Sequence, residues 1–327
     1  MSRIPLIRAS QAEPFLRAVR VAGRRATPLL EAVGLAPDVV HEDPDALVPE
    51  HAIWDFVGHC ADATGAEHFG WNVGLDSPIG DLGAFGQRVG AAATLGVALE
   101  TFLRAAAQHS SHARFSVVQS DGRVWFRRHG IDGIDVGAWQ IELYVLGIMV
   151  HVVRLALGAD WVPSHVRLKV LPPRGTRLPA ALRGTHVHGG TGMTSIELPA
   201  TALDAPLADA DAQADPAVPI ELALTESIRL VLRHALPTGH AGLPHAARLA
   251  GVTPRTLQRW LDREGSTFEA LLDDLRREEA LRRLAMPTAT VAEIAGHLGY
   301  ADPSNFTRAF RRWTRVAPRD YRASLAD

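Results

Sequence analysis

Two sets of side chains near the end of the sequence are of the types that hydrogen-bond to the edges of DNA bases. The first set is Arg255, Gln258 and Arg259. The second set is Ser304, Asn305 and Arg308. Arginine forms paired hydrogen bonds with guanine, and glutamine or asparagine does so with adenine, in the major groove of duplex DNA. The expected chemistry is therefore recognition of a base sequence, without a covalent step.

Apolar spacing predicts that both sets lie on the outer faces of helices. Around the first set, apolar residues recur at i, i+3 and i+4, at Leu257, Trp260 and Leu261. Around the second set, the same spacing is kept by Phe306, Ala309 and Phe310. A capping residue followed by proline begins each helix, as Thr253-Pro254 and Asp302-Pro303. The inward residues should therefore form a core that leaves the polar sets exposed.

Each basic helix follows an apolar helix and a glycine corner. Gly251 and Gly299 each come four residues after an alanine, a spacing that allows two helices to cross closely. The two helix-turn-helix units, at about 243–264 and 291–313, are joined by the amphipathic segment 268–286. Such a helix could hold both basic helices about one DNA turn apart, roughly 34 Å. One unit alone would also suit a small helical bundle, but two joined copies favour DNA binding.

The residues from 220 to the end resemble the DNA-binding domain of the AraC/XylS family of bacterial transcription regulators. The likeness rests on residues 249–284 and 291–322, and the second stretch is close to the family signature IA…GY…S.F.RAF.RW…P..YR. The resemblance implies that the two sets named above read bases. It implies phosphate contacts for Thr307, Arg311 and Arg312. Arg315 stands where the family usually has glycine, so the tight turn after the second basic helix is not predicted.

The part of the chain before residue 208 is predicted to mix helices and strands. Residues 113–129 contain two β-prone runs around Asp121-Gly122, a strong signal for a tight hairpin turn. Helices are expected at about 11–33, 51–64, 94–110 and 136–157. The segment 208–219 is rich in Ala, Asp and Pro and is predicted to be a linker. The predicted organisation is an α+β sensory domain at 1–207, the linker at 208–219 and an all-α domain at 220–327.

Residues 10–205 resemble the arabinose-binding-like N-terminal domain found in one branch of these regulators. The fragments that carry this likeness are 77–108 and 164–173. The resemblance implies an unidentified small-molecule effector, which need not be arabinose, and a role in forming a homodimer. It also implies that the protein acts with RNA polymerase. We therefore predict a sequence-specific transcription regulator, an activator controlled by its effector, and we predict no individual effector-binding residues.

Composition and charge are those of an ordinary globular protein, with 47% hydrophobic and 21% charged residues and a net charge of −2. Arginine is in mild excess from residue 220 onwards, whereas the earlier part is net acidic, so only the later part should meet a polyanion. The first residues lack a signal-peptide pattern, and the apolar run 144–158 is interpreted as too short to span a membrane. We expect a cytoplasmic protein without a membrane partner.

No pattern typical of an enzyme is found in the sequence, which lacks G-x-S-x-G, a phosphate-binding glycine loop and H-E-x-x-H. His186 and His188 lack a clear third metal ligand. His109 and His112 are interpreted as surface or capping residues, and Cys60 as a small buried side chain. No catalytic residue, metal or cofactor is predicted.

Two rival hypotheses remain open at this stage. One is a DNA-repair-type enzyme with an appended DNA-binding domain, which would need a nucleophile such as Cys60. The other is a helical bundle that contacts another protein.

Overall fold

The computed structural model describes residues 4–77, 84–120, 122–132, 137–207, 224–237, 239, 241–286 and 289–325. Within these ranges the chain is α+β up to residue 207 and entirely helical from residue 224 onwards. The predicted fold class is therefore confirmed. The predicted linker, residues 208–219, lies outside the described residues.

Eight helices are described in the N-terminal part. They are α1 Glu13–Val21, α2 Thr27–Ala32, α3 Pro37–Glu42, α4 Glu50–Thr64, α5 Phe69–Asp76, α6 Ala84–Gly90, α7 Leu95–His109 and α8 Ala138–Leu157. The hydroxyl of Thr94 accepts a hydrogen bond from the amide of Val97 at 3.4 Å and caps α7, as its position before the apolar run predicts.

Seven strands are described, and they form two sheets. They are β1 Leu6–Arg8, β2 Leu47–Pro49, β3 Arg114–Ser120, β4 Arg123–His129, β5 His165–Arg167, β6 His186–His188 and β7 Thr194–Leu198. β1 and β2 pair with each other, and the other five follow the order β3-β4-β7-β5-β6. The predicted hairpin is β3-β4, paired as far as Ser120 opposite Arg123, with Gly122 at φ 71°.

The hairpin directs its apolar residues, and one charged residue, towards the helices. On β4, Val124 and Phe126 are buried, and the ring of Phe126 lies 5.7 Å from that of Phe102 on α7. Arg128 occupies the next position of the same period-two pattern and is also buried. β4 therefore carries a charged side chain into the protein core.

The centre of the N-terminal core is the crossing of α5 and α8. Both helices carry glycine where they touch, because a Cβ on Gly74 would collide with the carbonyl oxygen of Tyr144. A Cβ on Gly147 would lie 3.0 Å from the carbonyl oxygen of Trp71. The backbones of the two helices therefore approach more closely than side chains would permit.

Helix α8 also corrects the interpretation of its apolar run. The helix has 20 residues, so it is long and apolar enough to cross a membrane by length and composition. Within the fold, however, 61% of its apolar window is buried. The apolar character of α8 is accounted for by its place in the protein core.

Seven helices are described after residue 223. They are α9 Leu224–Ala235, α10 Leu243–Leu249, α11 Pro254–Arg263, α12 Phe268–Leu284, α13 Val291–His297, α14 Pro303–Thr314 and α15 Pro318–Ala323. α12 packs against α9 on one side and against α13, α14 and α15 on another. This central helix thus joins α9 to α13, α14 and α15.

The close crossing of α5 and α8 gives a test of the fold. Gly74→Ala should destabilise the protein by about 1–3 kcal/mol, because its Cβ meets backbone that cannot move aside. Gly90→Ala is the matched control, since no atom lies within 4 Å of a Cβ there. Urea denaturation of both variants measures the difference, and equal midpoints would contradict the crossing.

Candidate nucleic-acid interface

The first helix-turn-helix unit is α10, a glycine corner and α11. Gly251 has φ 66°, and the amide of Val252 donates to the carbonyl of Ala247 at 3.0 Å, which closes the end of α10. The hydroxyl of Thr253 accepts from the amide of Thr256 at 3.2 Å and begins α11. The corner and the cap together fix the angle between the two helices.

The second unit repeats this construction with α13 and α14. Gly299 has φ 75°, and the amide of Tyr300 donates to the carbonyl of Ala295 at 2.9 Å. The carboxylate of Asp302 accepts from the amide of Ser304 at 2.7 Å and caps α14, and this hydrogen bond lowers the pKa of Asp302. Thr290 and Glu293 form a reciprocal capping box at the start of α13.

The polar face of α11 is exposed as the spacing predicts. Arg255, Gln258 and Arg259 are all exposed. Leu257 and Leu261 are fully buried, and Trp260 packs half-buried against the core. The first candidate set therefore forms one solvent-facing surface on a helix whose opposite face is anchored.

The polar face of α14 is exposed in the same way, and two of its members are joined. Ser304, Asn305 and Arg308 are exposed, whereas Phe306 and Phe310 are fully buried. The guanidinium of Arg308 donates a hydrogen bond to the side-chain oxygen of Asn305. The two side chains therefore stand in a fixed relation to each other before any DNA is present.

The three side chains expected to contact phosphates differ in their surroundings. Arg311 is exposed, and within the described part of the chain it has no ion-pair partner. Arg312 instead pairs with the carboxylate of Asp273 on α12. The hydroxyl of Thr307 donates to the carbonyl of Pro303 at 3.0 Å. Arg311 is thus the most available cation on this side of α14.

Arg276 on α12 has a structural role that the sequence did not indicate. It belongs to the amphipathic connecting segment 268–286, whose alternating charges suggest only a solvated face with local ion pairs. Its guanidinium instead donates to the carbonyl of Leu298 at 3.0 Å and lies 4.6 Å from the ring centroid of Tyr300. The central helix therefore holds the corner of the second unit. In the sequence, the only sign of this contact is that an arginine lies on the connecting helix and an aromatic residue follows the corner glycine. Only the fold brings the two residues together.

The turn after α14 forms although Arg315 replaces the usual glycine. Arg315 has φ 68°, and it is the only residue other than glycine with a positive φ among those described. Its amide donates to the carbonyl of Arg311 at 2.9 Å and ends the helix. A side chain in this left-handed conformation costs free energy.

The first unit also rests on the N-terminal part. α10 packs against α4, and the guanidinium of Arg248 pairs with the carboxylate of Asp55 at 2.6 Å. A Cβ on Gly251 would lie 3.5 Å from the carbonyl of Asp132 and 3.6 Å from the ring of His51. The corner of the first unit therefore abuts α4 and a neighbouring loop.

The structure does not gather the histidine and cysteine residues into a metal site within the described ranges. Among the described residues, no group of three or more His, Cys, Asp or Glu is placed to hold a metal ion. The ring of His186 stacks on His165 at 4.9 Å. Cys60 is buried, and burial raises its pKa to about 12, so it is a poor nucleophile. His109 is half-buried at the end of α7 and lines a cavity, so it is not a simple surface residue.

The geometry of two capped helix-turn-helix units with exposed polar faces defines a DNA-binding protein of the regulator class. A family model described as the arabinose-binding domain of AraC transcription regulators, N-terminal, matches residues 23–207, and a helix-turn-helix model matches 246–324. The first match covers more than half of the chain. The chain therefore belongs to the AraC-type transcription regulators that carry an arabinose-binding-like N-terminal domain.

Full-length relatives agree with this membership. The chain is 27% identical to the ornithine utilization regulator of Pseudomonas aeruginosa, over 97% of this chain and 96% of that protein. It is 28% identical to the HTH-type transcriptional regulator VirS of Mycobacterium tuberculosis, also over 97% and 96%. The crystal structure of the transcriptional regulator CdpR from Pseudomonas aeruginosa is similar at 22% identity and a TM-score of 0.43, over 96% of this chain and 98% of that one.

The protein is accordingly a DNA-binding transcription regulator with an arabinose-binding-like N-terminal domain. The relatives that cover the whole chain are transcription regulators. The DNA-repair hypothesis finds no support in these comparisons.

Replacing Arg315 by glycine tests the strain at the turn after α14. A glycine at a control position should change the stability in the opposite direction. Arg315→Gly should stabilise the protein by about 0.5–1 kcal/mol, because relief of the left-handed strain outweighs the added freedom of the unfolded chain. Arg319→Gly, inside α15 with ordinary backbone angles, should destabilise it by about 0.5–1 kcal/mol. Chemical denaturation measures both, and a loss of stability in Arg315→Gly would contradict the strained turn.

The assignment of base-reading and phosphate-contacting residues gives a second test. Gln258→Ala and Asn305→Ala should each relax base preference at one position of the site by about 1–3 kcal/mol. Arg311→Ala should instead weaken binding to all sequences. It should also make the negative slope of the logarithm of the binding constant against the logarithm of the salt concentration shallower by roughly one. Fluorescence anisotropy on single-base variants of the site distinguishes these effects.

The control for this test is Arg263→Ala, at the exposed end of α11, which should leave both properties unchanged. An unchanged ranking of sites in Gln258→Ala would show that this side chain does not read a base.

Proposed function

We propose that the protein binds a specific site on double-stranded DNA by placing α11 and α14 in successive major grooves. The observation that carries the proposal is the pair of exposed polar faces, each fixed by a glycine corner and both anchored on one bundle. α12 has 17 residues and is therefore about 25 Å long, which is of the order of one DNA turn. Arg255, Gln258, Arg259, Ser304, Asn305 and Arg308 read bases, while Thr307, Arg311 and Arg312 contact phosphates.

The N-terminal part, residues 1–207, senses a small-molecule effector and changes how the first unit is presented. Helix α4 supports this coupling because one surface of it packs in the N-terminal core and Asp55 on it pairs with Arg248 of α10. An effector controls DNA binding only if it binds the two states of this contact with unequal affinity. The regulator acts in the cytoplasm as a homodimer and activates transcription through RNA polymerase, as the family resemblance implies.

Selection from a random duplex library tests the proposal. The full-length protein at moderate salt should enrich a sequence with two short informative blocks whose centres are about 10 base pairs apart. Gln258→Ala should lose information in one block only, and Asn305→Ala in the other only. Enrichment of no sequence would contradict the proposal, and so would loss of the same block in both variants.

A further inference from the structure

A small cavity of about 70 Å³ lies inside the N-terminal part, between α4, α7, β4 and α8. Its wall is mostly apolar and aromatic, and includes Trp54, Phe102, Phe115, Val145 and Ile148. A cavity with apolar walls and a few polar groups directed into it is the usual form of a small-molecule site. The polar groups therefore indicate the chemistry of the molecule that would fit.

The most informative polar group is Arg128. Its side chain lines the cavity and the residue is only 4% exposed. Within the described part of the chain, no hydrogen bond or ion pair joins its guanidinium to another residue. Burying a charge in this way is costly unless a partner compensates it. Arg128 therefore has no anion in direct contact, although Glu50 and Glu142 act on its charge through space.

The nearest carboxyl groups do not supply that anion by contact. Glu50 accepts hydrogen bonds from the hydroxyl of Ser110 at 2.7 Å and the indole of Trp54 at 3.1 Å. Glu142 accepts from the hydroxyl of Thr194 at 2.6 Å and an amide at 2.8 Å. Burial raises the pKa of both carboxyls, and the nearby charge of Arg128 opposes this shift. Neither carboxyl forms a hydrogen bond or an ion pair with the guanidinium in the described part of the chain, so it remains without a direct partner.

Two further polar groups border the same space. The hydroxyl of Tyr144 is buried without a hydrogen-bond partner, and Tyr144 lines the cavity. His109 also lines it, and burial lowers its pKa to about 4, so it is neutral at physiological pH. Among the described residues that line the cavity, Arg128 is the one cation. A ligand would therefore meet one positive charge, the carboxyl group of Glu50 and an unused hydroxyl donor.

We infer that this cavity is the effector site and that it binds a small monocarboxylic acid as its anion. The carboxylate pairs with the guanidinium of Arg128 and accepts a hydrogen bond from the hydroxyl of Tyr144. The short apolar part of the acid lies against Phe102, Phe115 and Ile148. The inference rests on the proposed function, in which residues 1–207 hold the effector.

Charge and size favour a monocarboxylate over a phosphate. A single guanidinium matches one negative charge, whereas a doubly charged phosphate would leave an uncompensated charge beside Glu50 in an apolar space. The cavity is smaller than the roughly 150 Å³ of an apolar cavity that holds benzene. The fitting acids are accordingly those with short chains, such as acetate, propionate and butyrate.

The position of the cavity connects it to the DNA-binding part. Glu50 and Trp54, which line it, lie on α4. His51 and Asp55 on the same helix lie beside the first helix-turn-helix unit. A bound carboxylate that neutralises Arg128 therefore changes the electrostatic interaction between Arg128 and Glu50 on α4. The same helix carries the contact between the two domains.

Isothermal titration of the full-length protein tests the inference, with acetate, propionate and butyrate as probes at constant ionic strength. We expect one of these acids to bind with a stoichiometry of one per chain. Propionamide, which has the same shape without the charge, and inorganic phosphate should not bind. The inference is overturned if none of the three acids binds, if the amide binds as tightly as the acid, or if phosphate binds instead.

Variants locate the binding at this cavity. Tyr144→Phe should weaken acid binding about tenfold or more, because it removes one hydrogen bond to a charged group and leaves the ring packing intact. Arg128→Gln should abolish binding. Arg127→Gln is the matched control, since Arg127 is the neighbouring residue on β4 and points to the opposite face of the sheet. If Arg128→Gln does not fold, Tyr144→Phe decides, and unchanged affinity in that variant overturns the inference.

DNA binding measured on the same preparations distinguishes failure of the cavity assignment from failure of the proposed function. Specific DNA binding without any acid binding overturns the assignment of the cavity and leaves the proposed function standing. Absence of sequence-preferring DNA binding overturns the proposed function, whatever the titration gives.

Discussion

The orientation of both DNA-facing helices depends on a tight corner before each of them. At that corner one residue must adopt the left-handed backbone conformation. Gly251 and Gly299 supply it, and each lets an apolar helix lie across a basic one. Buried aromatic and leucine residues then prevent rotation of the basic helix about its axis, so its polar face is fixed outward. In the second unit, Arg276 adds a hydrogen bond from the central helix to the corner itself. Rigid presentation reduces the conformational entropy lost on binding DNA.

The N-terminal part is organised around a different constraint, a charge that enters an apolar core. Arg128 continues the inward pattern of Val124 and Phe126, so its burial follows from the register of the sheet. Helix α4 supplies nearby acidic and aromatic groups and also carries the contact to the first helix-turn-helix unit. One helix thus belongs both to the wall of a cavity and to the inter-domain contact. Regulation by a ligand needs such a shared element, with two states that the ligand binds unequally.

Local patterns in the sequence predicted the features that depend on neighbouring residues. Asp121-Gly122 predicted the hairpin, and the spacing of Phe306, Ala309 and Phe310 predicted the buried face of α14. Features that join distant residues were not predicted. The structural role of Arg276 is one of them, because its partner, the carbonyl of Leu298, is identified only when the corner is folded.

The same reason accounts for what was missed in the N-terminal part. An arginine at the end of a strand usually reaches solvent, and the helices that cover Arg128 come from distant parts of the chain. His109 was interpreted as a surface or capping residue, and its place in the cavity wall was missed for the same reason. The length of α8, by contrast, was predicted, since the helix expected at about 136–157 is found at Ala138–Leu157. Periodicity gives the buried face of an element, but it does not give the partners on that face.

Hydroxyl-radical footprinting of the full-length protein on its selected duplex is the most direct measurement of the central claim. Two helices held by one bundle should protect two patches of backbone on the same face of the DNA, with centres about 10 base pairs apart. A single protected patch would mean that only one unit enters a groove. Two patches on opposite faces, about half a turn out of phase, would mean that the bundle does not hold the two polar surfaces in a common direction.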